Sequence, residues 1–219
     1  MSAPPLTVDI WSDIACPWCY IGNQTLGQAI EKYDGDVTVR YHSFELAPDT
    51  PVDFDGSETD FLVDHKGMPA EQVQQMLAQV TATGASAGVQ LDFDAVRHTN
   101  TLRAHQALHH AAEHGLQGAL LERLFRAYFS EGRHVGRDAD LADLAEEVGL
   151  DRDQLLADLT ADRYAADVQR DINHAQQMGV RGVPFFVFES QYGVSGAQSA
   201  DTFSDVLSHV AAEVSTVRA

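Results

Sequence analysis

The stretch "DIWSDIACPWCYIGNQTLGQAI", Asp9 to Ile30, decides how the chain is read, because it holds Cys16 and Cys19, the only two cysteines among 219 residues. Just before it and into it, "LTVDIWSD" (Leu6 to Asp13) alternates, with Leu6, Val8 and Ile10 on one face and Thr7, Asp9 and Trp11 on the other. That is the period of a strand. Beyond Cys16, the residues Cys19/Tyr20, Leu26, Ile30 and Tyr33 recur at helical spacing until the turn "DGD" (Asp34 to Asp36). Cys16 is therefore expected where a strand gives way to a helix. Unpaired N–H groups and the positive end of the helix dipole favour negative charge there, and so favour a reachable thiolate over a thiol. Cys19, one turn further on, is placed to attack a mixed disulfide formed at Cys16. Pro17 and Trp18 shape the intervening turn and help set the redox potential. A static disulfide across so short a loop stabilises little, and buried thiols packed as small hydrophobes do not require this placement. Redox chemistry is the preferred reading.

"VTVRYHSFEL" (Val37 to Leu46) alternates again, with Val37, Val39 and Tyr41 on one face, so the first 46 residues read β-α-β with connections that suit a parallel crossover. "APDTPVDFDGSETD" (Ala47 to Asp60), rich in Pro, Asp and Gly, reads as a loop. No convincing strand follows until about residue 178. Helices are expected in "PAEQVQQMLAQVTATGASAG" from Pro69, a good first helical position, in "DAVRHTNTLRAHQALHHAAEHG", and in "LQGALLERLFRAYFSEG" with its stripe of Leu120, Leu121, Leu124, Phe125, Tyr128 and Phe129. "DADLADLAEEVG" opens with a capping acid, Asp138, and closes on Gly149; "DRDQLLADL" and "RYAADVQRDINHAQQMG" complete the series. The pattern then switches to two short strands, "GVPFFVFES" and "QYGVSGA", and a last helix, "SADTFSDVLSHVAAEV", with Phe203, Val206, Leu207 and Val210 on one face. The order is β-α-β, a helical block of about 120 residues, then β-β-α.

Hydrophobic residues make up 44% of the chain and charged ones 21%, enough for a buried core and no sign of disorder. The formal net charge is −19, and only two of the bases are lysines, Lys32 and Lys66. So negative a surface repels phosphate backbones and anionic lipid, which argues against nucleic acid and membranes as partners. The acids are scattered, so solubility explains them better than attraction of basic substrates. No apolar run approaches the roughly 20 residues of a membrane helix, and "MSAPPLTVDIWSD" lacks the features of a signal peptide. A cytoplasmic location is expected. A lone Cys pair does not furnish the four ligands of structural zinc, and no metal is expected.

Taken together, "DIACPWCYIG" (Asp13 to Gly22), "FEL" (Phe44 to Leu46), "NTLRAHQAL" (Asn100 to Leu108) and "GVRGVPFFVFESQYGVSGAQ" (Gly179 to Gln198) resemble the DsbA family of the thioredoxin superfamily. Within it they are similar to the FrnE-like branch, related to 2-hydroxychromene-2-carboxylate isomerases and kappa-class glutathione transferases. The resemblance implies an α/β thioredoxin fold, β-α-β then β-β-α, with a large all-helical insertion: residues 1–50 and 179–219 as the thioredoxin-like domain and 51–178 as the inserted helical domain. It implies a thiol–disulfide oxidoreductase or isomerase in which Cys16 and Cys19 are catalytic and a cis-proline, here Pro184 preceded by Val183, presents backbone to substrate. Pro17, Trp18, Val183 and Pro184 are the expected substrate-binding residues. The expected partner is a protein or small molecule carrying a disulfide or thiol, with a homodimer as candidate assembly. No cofactor is implied, glutathione being a candidate reductant or co-substrate. The alternative is a glutathione-dependent isomerase or transferase acting on a small aromatic compound. Those relatives generally carry serine where this chain has Cys16, so activation of glutathione by a hydroxyl is not available here.

"HQALHHAAEH" sets His105/His109 and His110/His114 at i, i+4, each pair on one helix face but the two faces about 100° apart. They are read as surface or internally satisfied histidines rather than metal ligands, with the reservation that any one of them reaching the dithiol would titrate near neutral pH. Trp11 is expected to be packed and Trp18 partly exposed. The paired glycines of "GVRGVP" and "GVSGA" lack the spacing of a phosphate loop and are read as turns.

Overall fold

A computed structural model describes residues 3–217. Four strands, β1 (Leu6–Ser12), β2 (Val37–Ser43), β3 (Phe185–Phe188) and β4 (Tyr192–Ser195), form one mixed sheet in the order β2-β1-β3-β4. β1 runs parallel to β2 with Leu6 opposite Val37, and antiparallel to β3 with Ile10 opposite Phe186. The helix α1 (Pro17–Ile30) makes the crossover from β1 to β2, and α9 (Ala200–Val217) follows β4. The alternation in β1 sorts its side chains as expected. Leu6, Val8 and Ile10 join Phe186 and Phe188 beneath Leu26 and Ala29 of α1 and Phe203, Leu207 and Val210 of α9. Trp11, on the opposite face, is buried against Ala175 and Val180. Each large apolar side chain sealed in this way contributes roughly 1.5–3 kcal/mol.

Between β2 and β3 lie seven described helices: α2 (Glu58–Lys66), α3 (Ala70–Ser86), α4 (Leu102–Glu113), α5 (Gln117–Phe129), α6 (Asp138–Glu146), α7 (Arg152–Thr160) and α8 (Ala165–Gln177). The stripe of α5 is the centre of their core, with Leu120, Leu124, Phe125 and Tyr128 fully buried. Four sequence expectations need correction. The segment Ala47–Asp60 is not all loop. Ser57 accepts from the Asp60 amide while the Asp60 carboxylate takes the Ser57 N–H, a reciprocal cap that starts α2. The helix expected from Asp94 begins only at Leu102, because residues before it are bonded elsewhere. The Asn100 N–H donates to Pro51 O at 3.3 Å, and the Thr99 hydroxyl to Val52 O at 2.7 Å. Asp138 is not the cap of α6 but its first residue; the cap is Arg137. β2 stops at Ser43 rather than Leu46, because the Leu46 N–H turns inward to Asp13 Oδ2 at 2.8 Å. Among the described residues no helix is long and apolar enough to cross a membrane.

One polar cluster fastens the helices to the sheet. His42 of β2 has Nδ1 2.9 Å from Asp171 Oδ1 on α8 and Nε2 2.9 Å from Asp9 Oδ1 on β1. Carboxylates accept and do not donate, so both ring nitrogens carry protons and the ring is an imidazolium. Asp171 Oδ2 also accepts from the Ser43 amide at 2.9 Å and faces His109 Nε2 of α4 at 3.1 Å. Trp11 stacks on His42 at 4.4 Å. Burial alone would push His42 down, but its bonds to Asp171 and Asp9 outweigh that and raise it to about 9. Because the folded value lies above the ordinary 6.5, the clasp stabilises fully below pH 6.5 and is lost as pH rises through 9, a change of about 3 kcal/mol at most. The denaturation midpoint in urea is expected to fall between pH 7 and roughly pH 10, and His42→Gln should flatten that slope; an equal slope in the variant would reject the assignment.

Candidate active site

The β1–α1 junction places the dithiol. Cys16 is the N-cap of α1 in extended conformation (φ −96°, ψ 111°), and Pro17 occupies the first helical position, where a missing N–H costs nothing. The Cys16 carbonyl accepts from the amides of Cys19 at 3.0 Å and Tyr20 at 3.3 Å. Its side chain does not cap the helix. Instead the thiol points across to the segment before β3, with Sγ 3.5 Å from the Val183 carbonyl oxygen, 167 positions away in the chain. The Val183–Pro184 peptide bond is cis. Gly22, one turn of α1 beyond Cys19, makes this approach feasible: a Cβ there would lie 3.0 Å from Phe186 Cζ and 3.2 Å from Pro184 Cγ. The structure thus brings together Cys16, Cys19, Val183 and Pro184, with Pro17 and Trp18 at the cavity that Cys16 lines.

Both cysteines are free thiols, and both are buried. Cys16 is only 4% exposed. Its access is through a cavity of about 230 Å³ lined by Cys16, Pro17 and Trp18 on one side and by side chains of α2 and α3 on the other. Trp18 is 40% exposed at its edge and Trp11 is packed away. Burial pushes the Cys19 thiol well up, and its hydrogen bond to Cys16 and the charge of Cys16 push it further; the Ser12 hydroxyl and the Asp13 amide, 3.5 Å from Cys19 Sγ, act in the opposite sense. Cys19 is held as a thiol while the pair is reduced.

The composition of the site extends beyond the residues that sequence reasoning selected. Asp13, buried in the quoted motif, accepts from the amides of Ala15 at 3.2 Å and Leu46 at 2.8 Å. His105 Nε2 lies 3.6 Å from Asp13 Oδ1 and 3.1 Å from the Phe44 carbonyl, which can only accept, so that nitrogen carries a proton. Burial pushes the Asp13 carboxyl up, yet its bond and proximity to His105 and the two amides hold it below the ordinary value. The signal available in the sequence was an acid ending a buried strand three residues before a cysteine. Of the other histidines of this stretch, His109 faces Asp171, His110 Nδ1 pairs with Asp158 at 2.8 Å while its Nε2 is buried without a partner, and His114, the C-cap of α4, donates from Nδ1 to the His110 carbonyl at 2.9 Å. Among the described residues no group of three or more His, Cys, Asp or Glu side chains converges on a metal position.

A mixed sheet with a Cys-x-x-Cys pair at the start of its crossover helix and a cis-proline opposite defines a thioredoxin-fold dithiol protein. The chain belongs to the DsbA-like thioredoxin family, whose sequence model, described as "DSBA-like thioredoxin domain", matches residues 7–208. The probable DsbA oxidoreductase SCO1869 of Streptomyces coelicolor is 38% identical, with a TM-score of 0.86 over 93% of this chain and 89% of that one. The uncharacterized protein YwbO of Bacillus subtilis is 29% identical over 92% of this chain and 95% of its own. The cytosolic disulfide reductase DsbM of Pseudomonas aeruginosa, 21% identical, shares the fold with a TM-score of 0.64 over 93% of this chain and 98% of that one. This is a family of thiol oxidoreductases and isomerases.

Two outcomes follow from the geometry. Iodoacetamide at neutral pH should modify Cys16 and spare Cys19 in the folded, reduced protein, as read by peptide mass spectrometry; equal labelling would contradict the assignment of Cys19 as a held thiol. Gly22→Val should destabilise the fold by roughly 1–3 kcal/mol through crowding against Pro184 and Phe186, measured by urea denaturation.

Proposed function

We propose that the protein exchanges disulfides through the Cys16-Pro17-Trp18-Cys19 dithiol, with Cys16 the attacking sulfur and Cys19 the resolving one. The observation that carries the reading is the contrast between the two thiols. Cys16 occupies the N-cap position of α1, faces Val183 and lines a cavity; Cys19 lies beneath it with its proton retained. Attack by the Cys16 thiolate breaks the substrate disulfide, forms a mixed disulfide and expels one thiolate. Cys19 then loses its proton and attacks the Cys16 sulfur, releasing the second thiol and leaving an oxidised pair. Where the substrate's own thiol resolves the mixed disulfide first, the outcome is isomerisation. Pro17 and Trp18 form the near rim for substrate, and Val183 and Pro184 offer backbone on the far side, Val183 through a carbonyl already within reach of Cys16. The substrate is a protein or small molecule bearing a disulfide or thiol. Glutathione is proposed only as a reductant that returns the pair to its dithiol form. A reducing cytoplasm is the proposed compartment, which suits a chain whose only cysteines are the reactive pair.

Reduction of insulin by dithiothreitol, with the protein as catalyst, tests the reading. Cys16→Ser is expected to abolish the acceleration, and Cys19→Ser to accumulate a mixed disulfide with substrate, visible on non-reducing gels. Full activity in Cys16→Ser would end the proposal.

A further inference from the structure

The cavity beside Cys16 contains a second set of polar groups that the exchange reaction does not use. Its far wall is α2 and the segment preceding α4, and it carries Glu58 and His98, whose side chains are 8% and 4% exposed. Glu58 is the first residue of α2, where a carboxylate is favoured by the helix dipole. Its Oε2 lies 2.8 Å from His98 Nδ1, so Nδ1 carries the proton and donates it. Phe61 stacks on the imidazole with centroids 3.4 Å apart, and the Tyr128 hydroxyl lies 3.3 Å from the same Nδ1. The ring is therefore fixed in orientation and in tautomer. His98 Nε2 has no protein partner among the described residues. Nor is it sealed off, since the buried side-chain atoms without partners are Gln106 Oε1, His110 Nε2 and Arg123 Nη1. The nitrogen meets open space, and the cavity is the space that His98 lines.

Much of the remaining lining is apolar, including Leu62, Leu77, Val80 and Phe93, with Asp13, His65, Lys66, Thr99 and Thr101 as its other polar members. A space of about 230 Å³ takes roughly nine non-hydrogen atoms, scaling from the 150 Å³ that hold one benzene. That is too small for a folded peptide loop and for glutathione, a tripeptide. We propose that this cavity selects small aromatic disulfides, one half of which enters as an apolar ring whose hydroxyl donates to His98 Nε2 while its sulfur meets Cys16. A 4-hydroxyphenylthio group has the required size. This rests on the exchange reaction proposed above. Two electrons pass from the dithiol to the substrate, one S–S bond is broken in the substrate and one forms between Cys16 and Cys19. The two aromatic thiols leave with the two protons given up by the pair. An external dithiol such as dithiothreitol restores the reduced state.

The test is single-turnover reduction, by the reduced protein, of bis(4-hydroxyphenyl) disulfide, diphenyl disulfide, oxidised glutathione and insulin. Each rate is divided by that of free dithiothreitol with the same disulfide, to remove differences in intrinsic reactivity. The hydroxylated disulfide is expected to exceed diphenyl disulfide by about tenfold, the worth of one hydrogen bond in a dry site, and to exceed oxidised glutathione by more. In His98→Phe, whose ring keeps the stack on Phe61, the preference for the hydroxyl should fall to about unity. Because that variant leaves Glu58 without its partner, Leu62→Trp provides an independent arm. It fills the cavity and should lower the ratio of aromatic to insulin reduction by about tenfold or more. Equal normalised rates for the four disulfides in the wild-type protein would overturn the inference, as would an unchanged ratio in Leu62→Trp or a hydroxyl preference retained by folded His98→Phe. Insulin reduction that depends on Cys16, without any aromatic preference, removes only this inference; insulin reduction that survives Cys16→Ser removes the underlying reaction.

Discussion

The carboxylate of Asp13 is the constraint on which the site depends. It lies at the end of β1 and is buried, yet it has donors on every side: the Ala15 amide, the Leu46 amide and His105 of α4. A buried charge without such partners would cost several kcal/mol. With them it fixes three things at once. The Ala15 bond shapes the turn that delivers Cys16 to the start of α1. The Leu46 bond bends the chain away from the sheet after β2 and brings Leu46 to the cavity. The His105 contact ties α4, the middle of the helical block, to the dithiol turn. The backbone amide of the same residue lies against Cys19 Sγ. A conservative change to asparagine would keep the shape but remove the charge that faces His105, so site geometry and helix docking are coupled through one side chain.

Much of the fold was legible because it rests on local periodicity. Alternation in "LTVDIWS" and "VTVRYHS" specifies two strands with one apolar face each, and a 3.6-residue repeat in α5 and α9 specifies buried stripes. Two errors of extent share a cause. Residues 94–101 have helix-compatible composition, but Thr99 and Asn100 spend their hydrogen bonds on Val52, Pro51 and Pro48, partners far away in sequence. β2 is cut short by Asp13 for the same reason. The onset of α2 is different. It was present in "SETD", a reciprocal cap hidden inside a stretch whose Pro, Asp and Gly content suggests a loop.

Within the site, Cys16 and Cys19 could be singled out from spacing alone, because few arrangements of two cysteines are chemically meaningful at a strand-to-helix junction. Val183 and Pro184 could not, since a proline opening a strand is ordinary; only likeness to a family pointed to them, and the fold sets the Val183 carbonyl against Cys16. Asp13, His105, Glu58 and His98 were illegible as a group. Each is one polar residue in an amphipathic segment, and their meaning lies in which partner each finds across the fold. The depth at which Cys16 is covered was illegible for a related reason. Position at a helix start says where a sulfur is, not what is packed over it.

That packing explains why the helical block matters to the chemistry. Cys16 and Cys19 belong to the hydrophobic cluster of the helices, together with Val80, Leu91, Val96 and Phe125, and not to the cluster between the sheet, α1 and α9. The sheet supplies the geometry of the dithiol turn and the opposing Val183–Pro184 segment; the helices supply its solvent. A sulfur covered by apolar side chains loses the water that would stabilise a thiolate, and this falls hardest on Cys19, which does not line the cavity that Cys16 lines. Cys16 escapes through the gap between Trp18 and α2. The same covering that raises Cys19 leaves Cys16 on the wall of a cavity. In the exchange proposed above, α2, α3 and the segment before α4 would set selectivity and the β1–α1 turn reactivity, with Asp13 and His105 tying the two together.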